Sequence, residues 1–350
     1  MSSTTLANVA LRVIQLIMTM NHPSYKGKTP VIFWRALFLG LLTMALCSFV
    51  PFSIFAPVPL AMAALLFGRM VALTVGWISF VILLVMFNYL GLSMLVAGLF
   101  VLSAIYAAMI TQVVLKGIPP VKGIVSSGAI IIVAMAALIG VSLLASDLSL
   151  REELMELVSA IITQFKQENQ EMLSRGGDEV RNLLAMLNHP DQIVDEMLRW
   201  LPSAIFGTAY MVLWASFFML LKNSAVWKRI TPYQYSVRDL VSFRMPDFMI
   251  WPLIAALTLI LAGEYLFGAV GVTIGGNLLY CLGLFFFFQG IGIYVDSLRY
   301  MGVYGVFRSI LTAFTIVFAW KVLALMGVFD MWFNFRKWLV KKNSDSSSQD

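Results

Sequence analysis

Apolar residues run through this chain in long blocks separated by short polar joints, and none of the blocks alternates with period two. A hydrocarbon core of about 30 Å takes about 20 helical residues to cross. Runs of that order lie at residues 31–50, 54–67, 70–87, 89–115, 124–145, 201–221, 248–267, 272–295 and 303–326. Nine such runs predict an all-α polytopic transmembrane bundle, because an outer-membrane barrel shows weak alternating segments of about ten residues instead. Two runs are irregular. Residues 54–67 are short and lie among Pro51, Pro57 and Pro59, which reads as a half-span or tilted helix, tolerated only where neighbouring helices or water satisfy the freed backbone groups. Residues 303–326 are interrupted by the Trp320-Lys321 pair and read as a segment that re-enters or breaks into two short pieces, giving about eight to nine spans.

Amphipathic patterning marks two further segments. Thr5, Asn8, Arg12, Gln15 and Thr19 recur at helical steps opposite Leu6, Val9, Val13, Ile14 and Ile17, so residues 1–30 are expected to contain a helix lying along the inner interface. Between the fifth and sixth runs, Leu150, Leu154, Leu157, Val158, Ile161, Ile162, Phe165, Met172 and Leu173 share one helical face, with Glu152, Glu153, Glu156 and Glu168 largely off it. Gly176-Gly177 ends that helix, a second starts near Asp178, and Asp191 follows the Asn188-His189-Pro190 break to cap the helix leading into the next span. Residues 147–200 are therefore expected to form a helical cap over the outer mouth of the bundle. Residues 31–146 and 201–330 would form its two membrane halves, and residues 331–350 a basic and then polar tail.

Composition strengthens the membrane reading and charge orients it. The chain is 60% hydrophobic and 12% charged, with a mean hydropathy of +0.88, whereas about a quarter of residues in soluble domains carry charge. Residues 1–146 contain no Asp or Glu, while residues 147–200 hold 11 of the 18 acids with 5 basic residues. Basic residues gather in short cytoplasmic loops. Arg12, Lys26, Lys28 and Arg35, then Arg69, then Lys116 and Lys122, then Lys222, Lys228, Arg229, Arg238 and Arg244 all fall on one side if the amino terminus is cytoplasmic. The acidic insert then lies outside, in a multi-pass protein of a bacterial inner membrane. Nine full crossings would strand Arg336, Lys337, Lys341 and Lys342 outside, so the broken last run is expected to leave the tail cytoplasmic. The formal charge of +6 is thus topological, with attraction to anionic membrane lipid as a secondary effect and no implication of nucleic-acid binding.

Candidate chemistry is sparse. Cys47 and Cys281 sit far apart in apolar runs, and His22 and His189 have no neighbouring ligand, so no metal or other cofactor is expected. Phosphate loops, zinc-protease motifs and nucleophile elbows are missing from the sequence, which predicts a noncatalytic protein. Gly276, Gly283 and Gly290 repeat every seven residues and are expected to let a neighbouring helix approach closely. Asn277 and Gln289, on the same helix, are the candidate hydrogen-bonding groups for a solute. Asp296 and Arg299 are spaced for an intrahelical ion pair, and Asp247 after Pro246 suits a helix start. Glu264 reads as interfacial, with Lys321 a conceivable partner across the bundle.

Several stretches together resemble the YybS-like family of predicted bacterial membrane proteins. They are Leu201-Pro202 opening a span, Phe243-Arg244-Met245-Pro246-Asp247 before the next, Gly276-Asn277-Leu278 with Gln289-Gly290 twelve residues later, and the tail from Gly327 to Arg336. Their order and spacing carry the resemblance. Members of that family are distantly similar to the six-helix substrate-binding subunits of energy-coupling-factor vitamin transporters. The resemblance therefore implies a solute-binding or transport-type subunit that works with a separate membrane or ATPase subunit. The other class open to the sequence is a noncatalytic interaction or scaffold protein of the cell envelope.

Overall fold

The computed structural model describes residues 29–90, 94–145, 149–170 and 177–337. The amphipathic segment expected over residues 1–20 and most of the basic tail lie outside the described residues. Among those described, every regular element is helical. They are α1 (Thr29–Ser48), α2 (Pro57–Phe67), α3 (Arg69–Leu90), α4 (Met94–Leu115), α5 (Pro120–Ala145), α6 (Leu150–Glu168), α7 (Asp178–Leu187), α8 (Pro190–Lys222), α9 (Ser224–Trp227), α10 (Val237–Val241), α11 (Ile250–Phe267), α12 (Ala269–Tyr300), α13 (Gly305–Phe318) and α14 (Trp320–Phe333). Seven of these helices are long and apolar enough to cross a membrane, and an eighth span arises only if α13 and α14 are taken together across a 96° bend. The second run is too short to count: a 3₁₀ turn over Val50–Phe55 leads into α2, with Gly68 at φ 94° stopping it.

The described residues fold into two compact units that interleave in sequence, one drawn from within residues 1–128 and 210–243, the other from within residues 129–209 and 244–350. Helices α5 and α8 each contribute to both units.

In the first unit, α2 is the central element. An apolar helix with no polar face belongs in a core, and Pro57, Val58, Pro59, Leu60, Ala61, Ala63 and Leu65 are all buried, with α1, α3 and α4 packed around it. The expected half-span is thus an interior helix. Its irregular backbone is tied by side chains from elsewhere in the unit: Ser216 Oγ donates to the Ile54 carbonyl at 2.9 Å and Thr231 Oγ1 to that of Leu65 at 2.8 Å. Tyr233 donates its hydroxyl to the Ile118 carbonyl at 2.7 Å. The segment after α8 therefore holds the end of α2 and the α4–α5 joint at one end of this unit. Arg69, Lys116 and Lys122, from two of the basic groups assigned to one side by charge, flank those anchor points.

In the second unit, α11 and α12 form a tight hairpin through Gly268 at φ 65°. A Cβ on Gly271 would sit 2.8 Å from the Gly263 carbonyl oxygen, and one on Gly275 would sit 2.9 Å from that of Ala256. The acidic segment is helical over α6 and α7. Its α6 opens with a capping box in which Ser149 and Glu152 each bond the other's backbone N–H, satisfying two of the donors that a helix start leaves orphaned. Val158 and Ile162 pack on Val194 of α8 with Leu154, Leu187 and Leu198 around them. Arg151 meets Asp195 at 3.0 Å and Lys166 donates to Asn188 Oδ1 at 2.9 Å. The apolar face of α6 is thus docked on protein, while Leu157 and Ile161, one turn apart, remain exposed.

Candidate functional site

α12 runs for 32 residues through the second unit and carries both amides singled out by the sequence. Asn277 is half-buried and faces α8 at the point where Pro202 interrupts the ladder of that helix. Its Oδ1 accepts from the Ser203 N–H at 2.9 Å, and its Nδ2 donates to the carbonyls of Arg199 and Thr273 at 2.9 and 3.0 Å. In an uninterrupted α-helix the N–H of residue 203 would be joined to the carbonyl of residue 199. The Asn277 amide engages both members of that pair beside the proline, which is how a membrane helix tolerates such a residue. Arg199 Nε adds a bond to Thr273 Oγ1 at 3.0 Å, and Trp200 lies over Gly276, where a Cβ would meet its ring at 2.9 Å.

Gln289 is fully buried and makes a second junction. Its Oε1 accepts from the Met245 N–H at 2.9 Å, and its Nε2 donates to Asp330 Oδ2 at 2.9 Å. Asp330, on α14 and only 1% exposed, accepts a further bond from the Phe335 N–H to its Oδ1 at 2.8 Å. Burying a carboxyl group is costly unless its oxygens are hydrogen-bonded, and two donors aimed at separate oxygens offset that cost. Close approach of backbones makes the junction possible: a Cβ on Gly290 would overlap the Leu323 carbonyl, and one on Gly327 would overlap that of Phe286.

The expected glycine stripe holds at two of its three positions. Gly276 and Gly290 face neighbours, but a Cβ on Gly283 would meet nothing within 4 Å. Gly276 is covered from α8 and Gly290 from α14, and neither neighbour covers position 283. Asp296 also departs from expectation, since its carboxylate lies 3.5 Å from Arg336 Nε, where the spacing had suggested Arg299. Burial pushes the Arg336 guanidinium below its ordinary value, Asp296 and Asp330 act in the opposite direction, and nearby Arg244 adds to the lowering. Pro246 precedes a 3₁₀ turn over Asp247–Met249 that feeds α11, and Asp247 in that first turn pairs with Arg244 at 3.3 Å. Glu264 is exposed, and Lys321 is exposed with its ammonium 5.6 Å from the Trp320 ring centre.

Asp330 was not singled out in the sequence reading, although an acid closing an apolar block is a signal in its own right. Also missed were two hydroxyls of the first unit. Ser79 Oγ on α3 and Thr111 Oγ1 on α4 are buried without a hydrogen-bond partner among the described residues, whereas Thr43 donates back to its own helix at 3.2 Å and Ser103 pairs with Cys47 at 3.5 Å. Among the described residues, no group of three or more His, Cys, Asp or Glu side chains is placed to hold a metal ion.

The pieces of sequence that carried the family resemblance thus meet in space: Met245, Gln289-Gly290, and Gly327, Asp330 and Phe335 form one junction, and Pro202 with Gly276-Asn277 forms the other. No curated protein and no solved structure matches the chain. The profile of a family described as predicted membrane protein (DUF2232) matches residues 32–331. This multi-pass, all-α membrane protein belongs to that family.

Proposed function

We propose that the chain is a noncatalytic membrane subunit that holds a small solute in its first unit and relies on a separate, ATPase-bearing partner for energy. The observation that supports this is an unequal division of buried polar groups. In the second unit the two amides first taken as solute ligands, Asn277 and Gln289, are engaged by the chain's own backbone and by Asp330. In the first unit Ser79 and Thr111 keep buried hydroxyls without partners among the described residues. A buried polar group left unmatched costs about 1–3 kcal/mol, and a bound solute supplying hydrogen-bonding groups would offset it. The longer helices of the first unit are α1 to α5 and α8, with the short α9 and α10 beside them. Solute ligation thereby moves from α12 to α3 and α4.

Native mass spectrometry of the gently purified protein tests this reading. A small molecule retained by the unaltered chain and lost in Thr111→Val, at unchanged melting temperature, would support it, because valine keeps the shape and removes only the hydroxyl. Retention by Thr111→Val and Ser79→Ala together would move the site elsewhere. Absence of any retained molecule would overturn the reading. A second reading, a membrane interaction protein of the cell envelope, is favoured by the exposed Leu157 and Ile161 on the docked cap helix. Co-purification of a protein that depends on those two residues would put it first.

A further inference from the structure

We propose that α13 is a membrane-surface helix lying along the boundary between lipid headgroups and acyl chains, with one face in hydrocarbon. This does not depend on the solute reading. Around α13, Arg308, Ser309, Thr312 and Thr315 occupy one arc, while Val306, Phe307, Ile310, Phe314, Val317 and Phe318 occupy the opposite one. The apolar arc points outward, each of those six side chains being more than half exposed. Most of the polar arc is turned towards the protein: Arg308, Thr312 and Thr315 are half-buried while Ser309 at its edge is exposed, and the Thr315 hydroxyl is bonded to that of Tyr294 on α12 at 2.8 Å.

Such a helix is inside out for water, since six large apolar side chains would face solvent while Arg308 and the two threonine hydroxyls faced protein. With lipid as the occupant the arrangement is the favourable one. The outward face also belongs to a chain whose other spans present apolar side chains such as Trp251 and Leu261 to the bilayer.

Length and direction separate a surface helix from a spanning or re-entrant one. Fourteen residues cover about 21 Å at 1.5 Å per residue, short of a core of about 30 Å. The axes of α13 and α14 meet at 96°, so the two helices cannot both follow the membrane normal. Of the pair, α14 buries Leu323, Gly327 and Asp330 and packs tightly on the spanning α12, whereas α13 buries no residue. Trp320 and Lys321 stand at the corner, with Met301 and Tyr304 exposed at the other end. Aromatic and long basic side chains of this kind favour the headgroup level.

The test uses the full chain, with Cys47 and Cys281 replaced by Ala, in nanodiscs of phosphatidylethanolamine and phosphatidylglycerol. Nitroxides are placed singly by Phe307→Cys, Phe314→Cys and Val317→Cys, with Leu257→Cys on α11 as a mid-span reference. Power saturation against oxygen and a nickel chelate reads the depth of each. The expected result is high oxygen access at all three α13 positions, at nearly equal depth, about 5–10 Å into the boundary and well above the reference. A depth increasing by about 10 Å from position 307 to position 314, the rise of seven helical residues, would show a helix plunging into the membrane and overturn the proposal. Low access to both reagents would mean a protein covers the face, and strong nickel access would mean it lies in water; either result also overturns it.

Discussion

Individual residues of α12 show how the same side chain is readable in kind and unreadable in role. Asn277 and Gln289 stand out because they are polar within apolar runs, but their partners lie 78 and 44 positions away, and nothing local to either amide points there. The glycines repeat the lesson. A heptad repeat predicts a stripe, yet a stripe matters only where a neighbour reaches it, and position 283 has none. Gly290→Ala and Gly327→Ala are therefore expected to lower stability in detergent by about 1–3 kcal/mol, the usual cost of forcing atoms into a packed contact. Gly283→Leu should leave the melting temperature nearly unchanged. Thermal unfolding of the three variants decides this, and equal losses at all three positions would contradict the close contact seen between α12 and α14.

Among the elements, α6 illustrates what sequence patterning conveys well. Its apolar face and its acidic opposite side follow from residue spacing, whereas its start at Leu150 after the Ser149 cap is seen only in the fold. Its partner did not follow, because a hydrophobic face is equally suited to lipid and to α8. The cap also yields a pH dependence. The N–H and hydroxyl of Ser149 hold the Glu152 carboxyl below its ordinary value, so the ionised form favours the helix. That contribution is fully present above the ordinary carboxylate range near pH 4 and is lost as pH falls through the lowered folded value. Relative to the intrinsic exchange rate at each pH, hydrogen-exchange protection of the first turn of α6 should fall on acidification in the unaltered chain, and Glu152→Gln should remove most of that dependence. The proline-rich α2 was legible as irregular but not as interior, since the side chains that tie it, Ser216 and Thr231, come from residues more than 150 positions later.

For the whole molecule, hydropathy and charge convey the class, the rough number of spans and the existence of the insert. The division into two interleaved units is invisible to both, because α5 and α8 have no break in composition where their residues pass from one unit to the other. Orientation rests on charge alone and gives a direct expectation. On a background without Cys47 and Cys281, Thr163→Cys should react with an impermeant thiol reagent from outside the cell, and Ser242→Cys only after the membrane is opened. The reverse pattern would invert the topology.

The bridge from Asn277 to the interrupted turn of α8 has a mechanical meaning. Proline ordinarily gives a helix a soft joint, because one ladder bond is missing and the turn before it can open. Here the amide of another helix spans that joint and ties to both of its sides, so the bending stiffness of α8 near residue 202 is set by α12. Any flexing there must carry α12 along or break two bonds to Asn277 at once. A point that the sequence marks as a hinge is, in the folded chain, a splice.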